Sequence, residues 1–364
     1  MGRNMQDWAK SVIDSEERLA MPLMTYPGLE ITGNGVLEMV RSGEVQYECL
    51  KALSDRYPVI AAATLAMALY VEAEAFGSEV TYSEIEIPSV SKRLIDSFGF
   101  LKTLRIPEVG EGKTGEHLKA AQLAVANIRD HPVFGGIIGP YSLAGRLYDM
   151  TEMMAAILIE PEGSHELLEI CTGFLIKYAK AYKDAGCDGI IIAEPAAGLL
   201  GRDECHEFSS AYVRRIVENV QDENFIVILH NCGNTVSLVD SMVSTGSAGF
   251  HFGNAVDMLS ILPKVPSDRL VLGNIDPAGI MKNGSPETVR KETLDLLSKT
   301  ASYRNYVVST GCDIPPGTNL ENITAFFNTL SEYNKNHLKH IEIDFRNDIL
   351  EREVLTWDQS LNVA

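Results

Sequence analysis

Positive charge is what this 364-residue chain has least of: 31 lysines and arginines stand against 50 aspartates and glutamates, a formal net charge of −19. Such a surface repels phosphate backbones and anionic lipid, so no unaided contact with nucleic acid or membrane is expected. Long apolar runs are missing too, and none reaches the length of a transmembrane helix. The start, MGRNMQDWAKSVIDSEERLA, lacks the apolar core of a secretory signal, and the expectation is a cytoplasmic protein. No Gly-x-Gly-x-x-Gly or P-loop follows any apolar run, so nothing indicates a nucleotide-binding fold. Nor is there a Gly/Ser linker or low-complexity stretch to divide the chain. The six cysteines read as reduced thiols available for metal or catalysis, because a chain of this length needs no disulfide staples.

What is present is a steady alternation of strand-like and helix-like segments. Short apolar runs at 21–26, 134–139, 189–194, 225–230, 248–253, 270–275 and 305–310 are rich in Ile and Val, as strands buried on both faces of a parallel sheet are. Amphipathic stretches at 163–185, 203–220, 285–299 and 319–335 lie between and after them. Ser285-Pro286-Glu287 marks a helix start with a cap, a first-turn proline and an acid, and Asn319 with Asn322 is a weaker one. The pattern predicts an α/β protein, one (β/α)₈ TIM barrel spanning residues 1–364 with a core of about 20–335 and an N-terminal helical extension. An eighth strand is expected between residues 57 and 90.

In a barrel of this kind chemistry sits at the carboxyl ends of the strands. Five consecutive predicted strands end there in polar or ligand-type residues: Glu194, His230 with Cys232, His251 with Asn254, Asn274 with Asp276, and Cys312. In an extended chain positions 230 and 232 face the same side. One imidazole and two thiolates form a soft donor set that suits Zn²⁺ with a fourth position open to substrate. The plainer reading of a single His-x-Cys is a buried pair with no metal; Cys312 in the same topological position outweighs it.

The remaining candidates each have a plainer reading beside the functional one. Glu194 is either a buried carboxylate capping a helix or a group that ligates the metal or orients the histidine. His251, set between aromatics, could be a packed, hydrogen-bonded core residue, and Asn274 with Asp276 could form an Asx turn before Pro277. Glu72 and Glu74 belong either to a solvated face or to the pocket. Gly139, Tyr141 and Ser142 in GPYSLAG form a strand-to-helix turn whose backbone could approach a cofactor closely. Cys205-His206 lies on a helix-like segment where adjacent residues diverge, and Cys49, Cys171 and Cys187 look like small core residues.

Taken in order, GPYSLAGRL, IIIAEP, LHNCGNT, FHFGNAVDM, LGNIDP and STGCDIPPGTNLENI resemble the uroporphyrinogen decarboxylase superfamily over roughly residues 20–335. Within it the likeness is to the zinc-dependent methyltransferases that work with corrinoid proteins. The resemblance implies a (β/α)₈ barrel and a zinc ion on His230, Cys232 and Cys312. It also implies methyl transfer between a corrinoid and a small zinc-activated substrate, a thiol in the first instance. Glu194, His251 and Asn274 then stand as catalytic candidates, and Gly139, Tyr141 and Ser142 as cofactor contacts. The chain carries no corrinoid-binding D-x-H-x-x-G module, so the methylcorrinoid would arrive on a separate corrinoid protein. The resemblance leaves self-association into a homo-oligomer open.

Two departures separate the chain from decarboxylases of the superfamily. Their arginine-rich RQAGR signature is replaced by MTYPGLE at 24–30, and their catalytic Asp would fall near Ala68. Without those groups a polyanionic tetrapyrrole loses its clamps. A decarboxylase-like lyase, or a methyltransferase that demethylates a methoxylated or methylamine donor, are the competing readings.

Overall fold

A computed structural model of the protein describes residues 2–65 and 67–336. Its centre is a parallel sheet that begins with β1 (Ala62–Ala63). An antiparallel hairpin of β2 (Glu79–Thr81) and β3 (Ser89–Lys92) then stands apart from it. The sheet continues with β4 (Val133–Ile138), β5 (Gly189–Ala193), β6 (Ile226–Asn231), β7 (Gly249–Phe252), β8 (Leu270–Ile275) and β9 (Tyr306–Thr310). These seven strands are hydrogen-bonded in chain order, β1 at one edge and β9 at the other. Six of them lie within a residue or so of the segments expected from sequence, and β1 supplies the strand expected between 57 and 90.

Residues 19–23 join the two edges. Met21 N donates to Val308 O and Val308 N to Leu19 O, both at 3.0 Å, while Ile60 N donates to Ala20 O at 3.1 Å. This is the strand expected at 21–26, but only the Ala20–Val308 pairing is a regular bridge. Pro22 explains the interruption: it has no N–H to give to a ladder. β1 is short for a related reason. Beyond Thr64 the chain leaves the sheet, and Ile138 N on the exposed flank of β4 is met at 2.8 Å by the Glu72 carboxylate instead of a strand.

Alternate residues face the barrel axis and the surrounding helices. Phe134, Ile191, Ile226, Ile228, Leu270, Leu272 and Val307 pack together inside. Ile190, Ile192, Val227, Leu229, Phe250, Val271 and Val308 pack outward, against the helical layer. Each such side chain, fully buried, contributes roughly 1.5–3 kcal/mol. The helix Met5–Asp14, capped by Asn4, plugs the amino end of the barrel with Met5 and Val12, and Trp8 lies against Phe134.

The expected helices are present as Pro161–Asp184, Pro286–Lys299 and residues 320–336. The stretch expected at 203–220 is helical from Arg202 to Val220, with a π-helical turn at His206–Ser210. Ser285 Oγ caps its helix by accepting from Thr288 N, and Asn319 Oδ1 accepts from Glu321 N. Among the described residues no helix is long and apolar enough to cross a membrane.

Candidate metal centre

The inward register established by Ile226 and Ile228 carries on to His230 and Cys232 at the carboxyl end of β6. Cys312 arrives from the loop after β9. Donor atoms of His230, Cys232 and Cys312 all lie within 4.8 Å of one another, a spacing at which the three could hold one metal ion. Both thiols are half-buried while His230 is fully buried. Gly253 makes room for them: a Cβ there would stand 2.4 Å from Cys232 Cα.

A chain of hydrogen bonds fixes which face the imidazole presents. Ser309 Oγ donates to Met21 O at 2.7 Å, which spends its only proton. Ser309 must therefore accept from His251 Nε2–H, 2.9 Å away. Burial above all, with the nearby His230, holds His251 well below the usual imidazole range, so its Nδ1 is a bare lone pair. That lone pair can only accept, and its partner at 2.8 Å is His230 Nδ1. His230 is thus protonated on Nδ1, and its Nε2, buried and without a partner, offers a lone pair toward the thiols. A histidine whose far nitrogen is pinned in this way is the usual arrangement around a bound metal.

The thiols are equally prepared. Cys232 is pulled down to about 4, chiefly because the Cys312 thiol hydrogen-bonds to it and secondarily because His230 is close. Cys312 is pushed the other way by the same bond and by burial. A divalent cation bound here would find two sulfur donors, which coordination keeps as thiolates, and an imidazole lone pair. That donor set fits zinc.

Glu194 sits differently. Ile190 and Ile192 of β5 face outward, and Glu194 continues their face. Its carboxylate accepts from Tyr141 N and Ser142 N at 2.8 and 3.0 Å and from Ser209 Oγ at 2.9 Å. It therefore caps the amino end of the helix Pro140–Tyr148, the helix that follows the neighbouring strand β4. Burial raises its pKa, and these donors offset part of the rise. Gly139 is needed here because a Cβ would meet Glu194 Oε2 at 2.0 Å. Ser142 Oγ accepts from Ala196 N, while the buried Tyr141 hydroxyl has no partner. Asn274 points inward and ties down the loop after β7 through Gly253 O and Val256 O at 2.9 and 2.7 Å. Asp276 forms the expected Asx turn, accepting from Ala278 N and Gly279 N. Glu72 is buried at the sheet edge, and Glu74 is held by the Tyr82 hydroxyl. Cys49, Cys171, Cys187 and Cys205 are free and buried.

Residues 18–333 match the uroporphyrinogen decarboxylase (URO-D) family. The chain belongs to the uroporphyrinogen decarboxylase family. One relative is the methylcobamide:CoM methyltransferase MtbA of Methanosarcina acetivorans, 29% identical over 266 residues that cover 69% of this chain and 74% of the relative. Another is the uroporphyrinogen decarboxylase of Hydrogenovibrio crunogenus, 26% identical over 332 residues, covering 87% and 91%. A solved methyltransferase from Methanosarcina mazei superposes with a TM-score of 0.80 at 22% identity, covering 89% of this chain and 97% of that one. At that identity the superposition speaks for the fold, which is the family's barrel.

The residues least visible in sequence lie on the segments that follow residues 19–23, β1 and β9. Tyr26, Tyr70 and Asp313 are buried, and Tyr26 Oη, Tyr70 Oη and Asp313 Oδ1 have no hydrogen-bond partner. Burial raises Asp313 to about 7, against the opposing influence of the nearby Thr25 and Ile314 amides. Only Asp313 had a signal in sequence, its place immediately after Cys312. Ser309, the end of the histidine chain, shares β9's inward face with Val307 and could have been found by alternation alone.

Proposed function

We propose that this member of the uroporphyrinogen decarboxylase family is a zinc-dependent methyltransferase that moves a methyl group between a corrinoid, carried by a separate protein, and a small thiol. The observation that carries the reading is the unpartnered, buried Nε2 of His230 beside the thiols of Cys232 and Cys312, the donor atoms all within 4.8 Å of one another. His230, Cys232 and Cys312 are the ligands that would hold zinc. When bound, the ion would lower the pKa of a substrate thiol, so that a thiolate is available at neutral pH. The relatedness to MtbA supports the same reading.

The residues around the ligands have separate tasks. His251 and Ser309 hold His230 in the tautomer whose Nε2 is free. Glu194 anchors the helix Pro140–Tyr148 through the amides of Tyr141 and Ser142, and Gly139 lets it approach. Within that turn Tyr141 Oη is the atom left to contact a cofactor. Asn274 fixes the loop that carries Gly253 beside Cys232. In the net exchange the methyl group leaves cobalt without its bonding electron pair and joins the thiolate sulfur, and the thiol proton goes to solvent. The −19 charge suits a protein partner with a basic docking face.

Elemental analysis of protein purified without added metal tests this. The expected outcome is about one zinc per chain in the wild type, most of it lost in Cys312→Ser, with methylcobalamin-dependent methylation of thiols following the metal. Wild-type protein that takes up no zinc after reduction and reconstitution would overturn the reading and favour a decarboxylase-like lyase.

A further inference from the structure

The helix Met150–Ile159 is apolar all round, yet it lies on the surface. Eight of its ten residues are Met, Ala, Ile or Leu. A helix of that composition is normally buried on every side. Here Met153, Ala156 and Ile157 are buried, while Met154, Ala155, Leu158 and Ile159 form one outward stripe at helical spacing. Leu158 and Ile159 are 71% and 74% exposed, and no other large apolar side chain on a described helix exceeds 57%. Residues 92–105, which carry the exposed Phe100, are fastened to both ends of this helix. Leu94 N and Ile95 N donate to Leu147 O at 2.8 and 2.9 Å, and Arg93 pairs with Glu152 at 3.5 Å. Phe98 stacks on Tyr148 with ring centroids 4.8 Å apart, and a Cβ on Gly163 would strike the same ring. The two segments differ in charge. From 92 to 105 the cations Lys92, Arg93, Lys102 and Arg105 stand against Asp96 alone. From 149 to 166 there are five acids and no Lys or Arg. Arg93 and Arg105 are paired within the chain, but Lys102, Glu160 and Glu162 are exposed and form no ion pair among the described residues.

We propose that this surface is the contact between two copies of the chain, paired about a twofold axis so that the helix Met150–Ile159 of each covers residues 92–105 of the other. An exposed apolar stripe of this kind marks an interaction site. A twofold contact must be self-complementary, and two adjoining strips of opposite charge, each with apolar residues, meet that condition. Leu158 and Ile159 are then covered together with Phe100, and the acidic strip faces the basic one. A different protein with a face of one charge would be attracted by one strip and repelled by the other. The net charge of −19 opposes self-association at long range. At physiological salt that repulsion is screened beyond about 8 Å, so complementarity at contact decides. None of this depends on the reaction the barrel carries out.

Sedimentation velocity of the full chain over a concentration series provides the test. The wild type is expected to be a dimer. Leu158→Glu should raise the dimer dissociation constant roughly tenfold or more, as loss of a central interface side chain typically does, with circular dichroism unchanged. Glu160→Lys with Glu162→Lys sets like charges against the basic strip and should also weaken the dimer. Adding Lys92→Glu and Lys102→Glu to that variant restores opposite signs and should recover most of the lost affinity, a rescue that misfolding would not give. A monomeric wild type overturns the proposal. That is the outcome expected if residues 337–364 of the same chain cover the stripe, or if it awaits a different protein. A dimer that none of these variants weakens places the contact elsewhere and overturns the proposal equally.

Discussion

Two sets of polar atoms in the barrel differ in how they are spent. On the β6–β7–β9 side, His230, His251, Ser309 and the Met21 carbonyl use one another in sequence until a single lone pair is left over. By contrast, Tyr26, Tyr70 and Asp313 each keep an oxygen unpaired. Full pairing leaves the first side one orientation, as a metal site requires if its ligands are to be in place before the ion arrives. The second set is left open. Only the first is organised for a resident ion.

Substitutions can break or sharpen this contrast. Cys232→Ser should have the largest effect, taking zinc content from about one per chain to near zero while circular dichroism stays native. Retention of the metal would remove Cys232 from the resident side. Glu72→Gln should come next, through stability. Burial raises Glu72 from 4.5 to about 7, so the folded protein holds this proton where the unfolded chain releases it. The associated stability is whole below pH 4.5 and is lost as pH rises through 7. The glutamine keeps an oxygen for Ile138 N and has no charge to bury. It should therefore gain on the wild type across that window by up to roughly 3 kcal/mol, measured as urea midpoints at several pH values. Parallel pH profiles for the two proteins would refute this.

His251→Phe should follow, weakening zinc affinity about 10–100-fold as loss of a histidine's outer partner typically does. A chelator competition in which affinity is unmoved would show that His230 holds its tautomer unaided. The smallest change is expected from Ser309→Ala. It leaves the Met21 carbonyl and His251 Nε2–H unpaired, at about 1–3 kcal/mol of stability, and lowers zinc affinity by less than His251→Phe does.

Much of this was legible in the sequence because the relevant physics is local. Strand positions followed from short Ile/Val runs, and the shared face of His230 and Cys232 followed from a period of two. Two features were not local. Glu194 looked like part of the metal rim because it ends a strand, yet it continues the outward face of Ile190 and Ile192. The helix it caps belongs to the preceding strand, a relation that only the β4–β5 pairing creates. His251 invited the plainer reading of a packed, hydrogen-bonded histidine, and it is both packed and hydrogen-bonded. What sequence could not reveal was that its partner is His230, because β6 and β7 place the two side by side through their register. Tyr26 and Tyr70 gave no signal, since a buried tyrosine near a turn is ordinary until its hydroxyl is known to lack a partner.

The stave at residues 19–23 has a consequence for how the chain comes to be folded. Its hydrogen bonds run to Val308, made almost three hundred residues later, and the helix ahead of it rests on strands as late as β9. This segment, made before every strand of the sheet, is thus among the last to find its place. Until Val308 emerges, β1 is without that neighbour, and the growing sheet has an open side while each new strand is added. Contacts so distant in sequence close slowly, and exposed strand edges invite wrong partners in the interval. Closure of the barrel is therefore set by when residues 19–23 meet Val308, not by the order in which its strands are made.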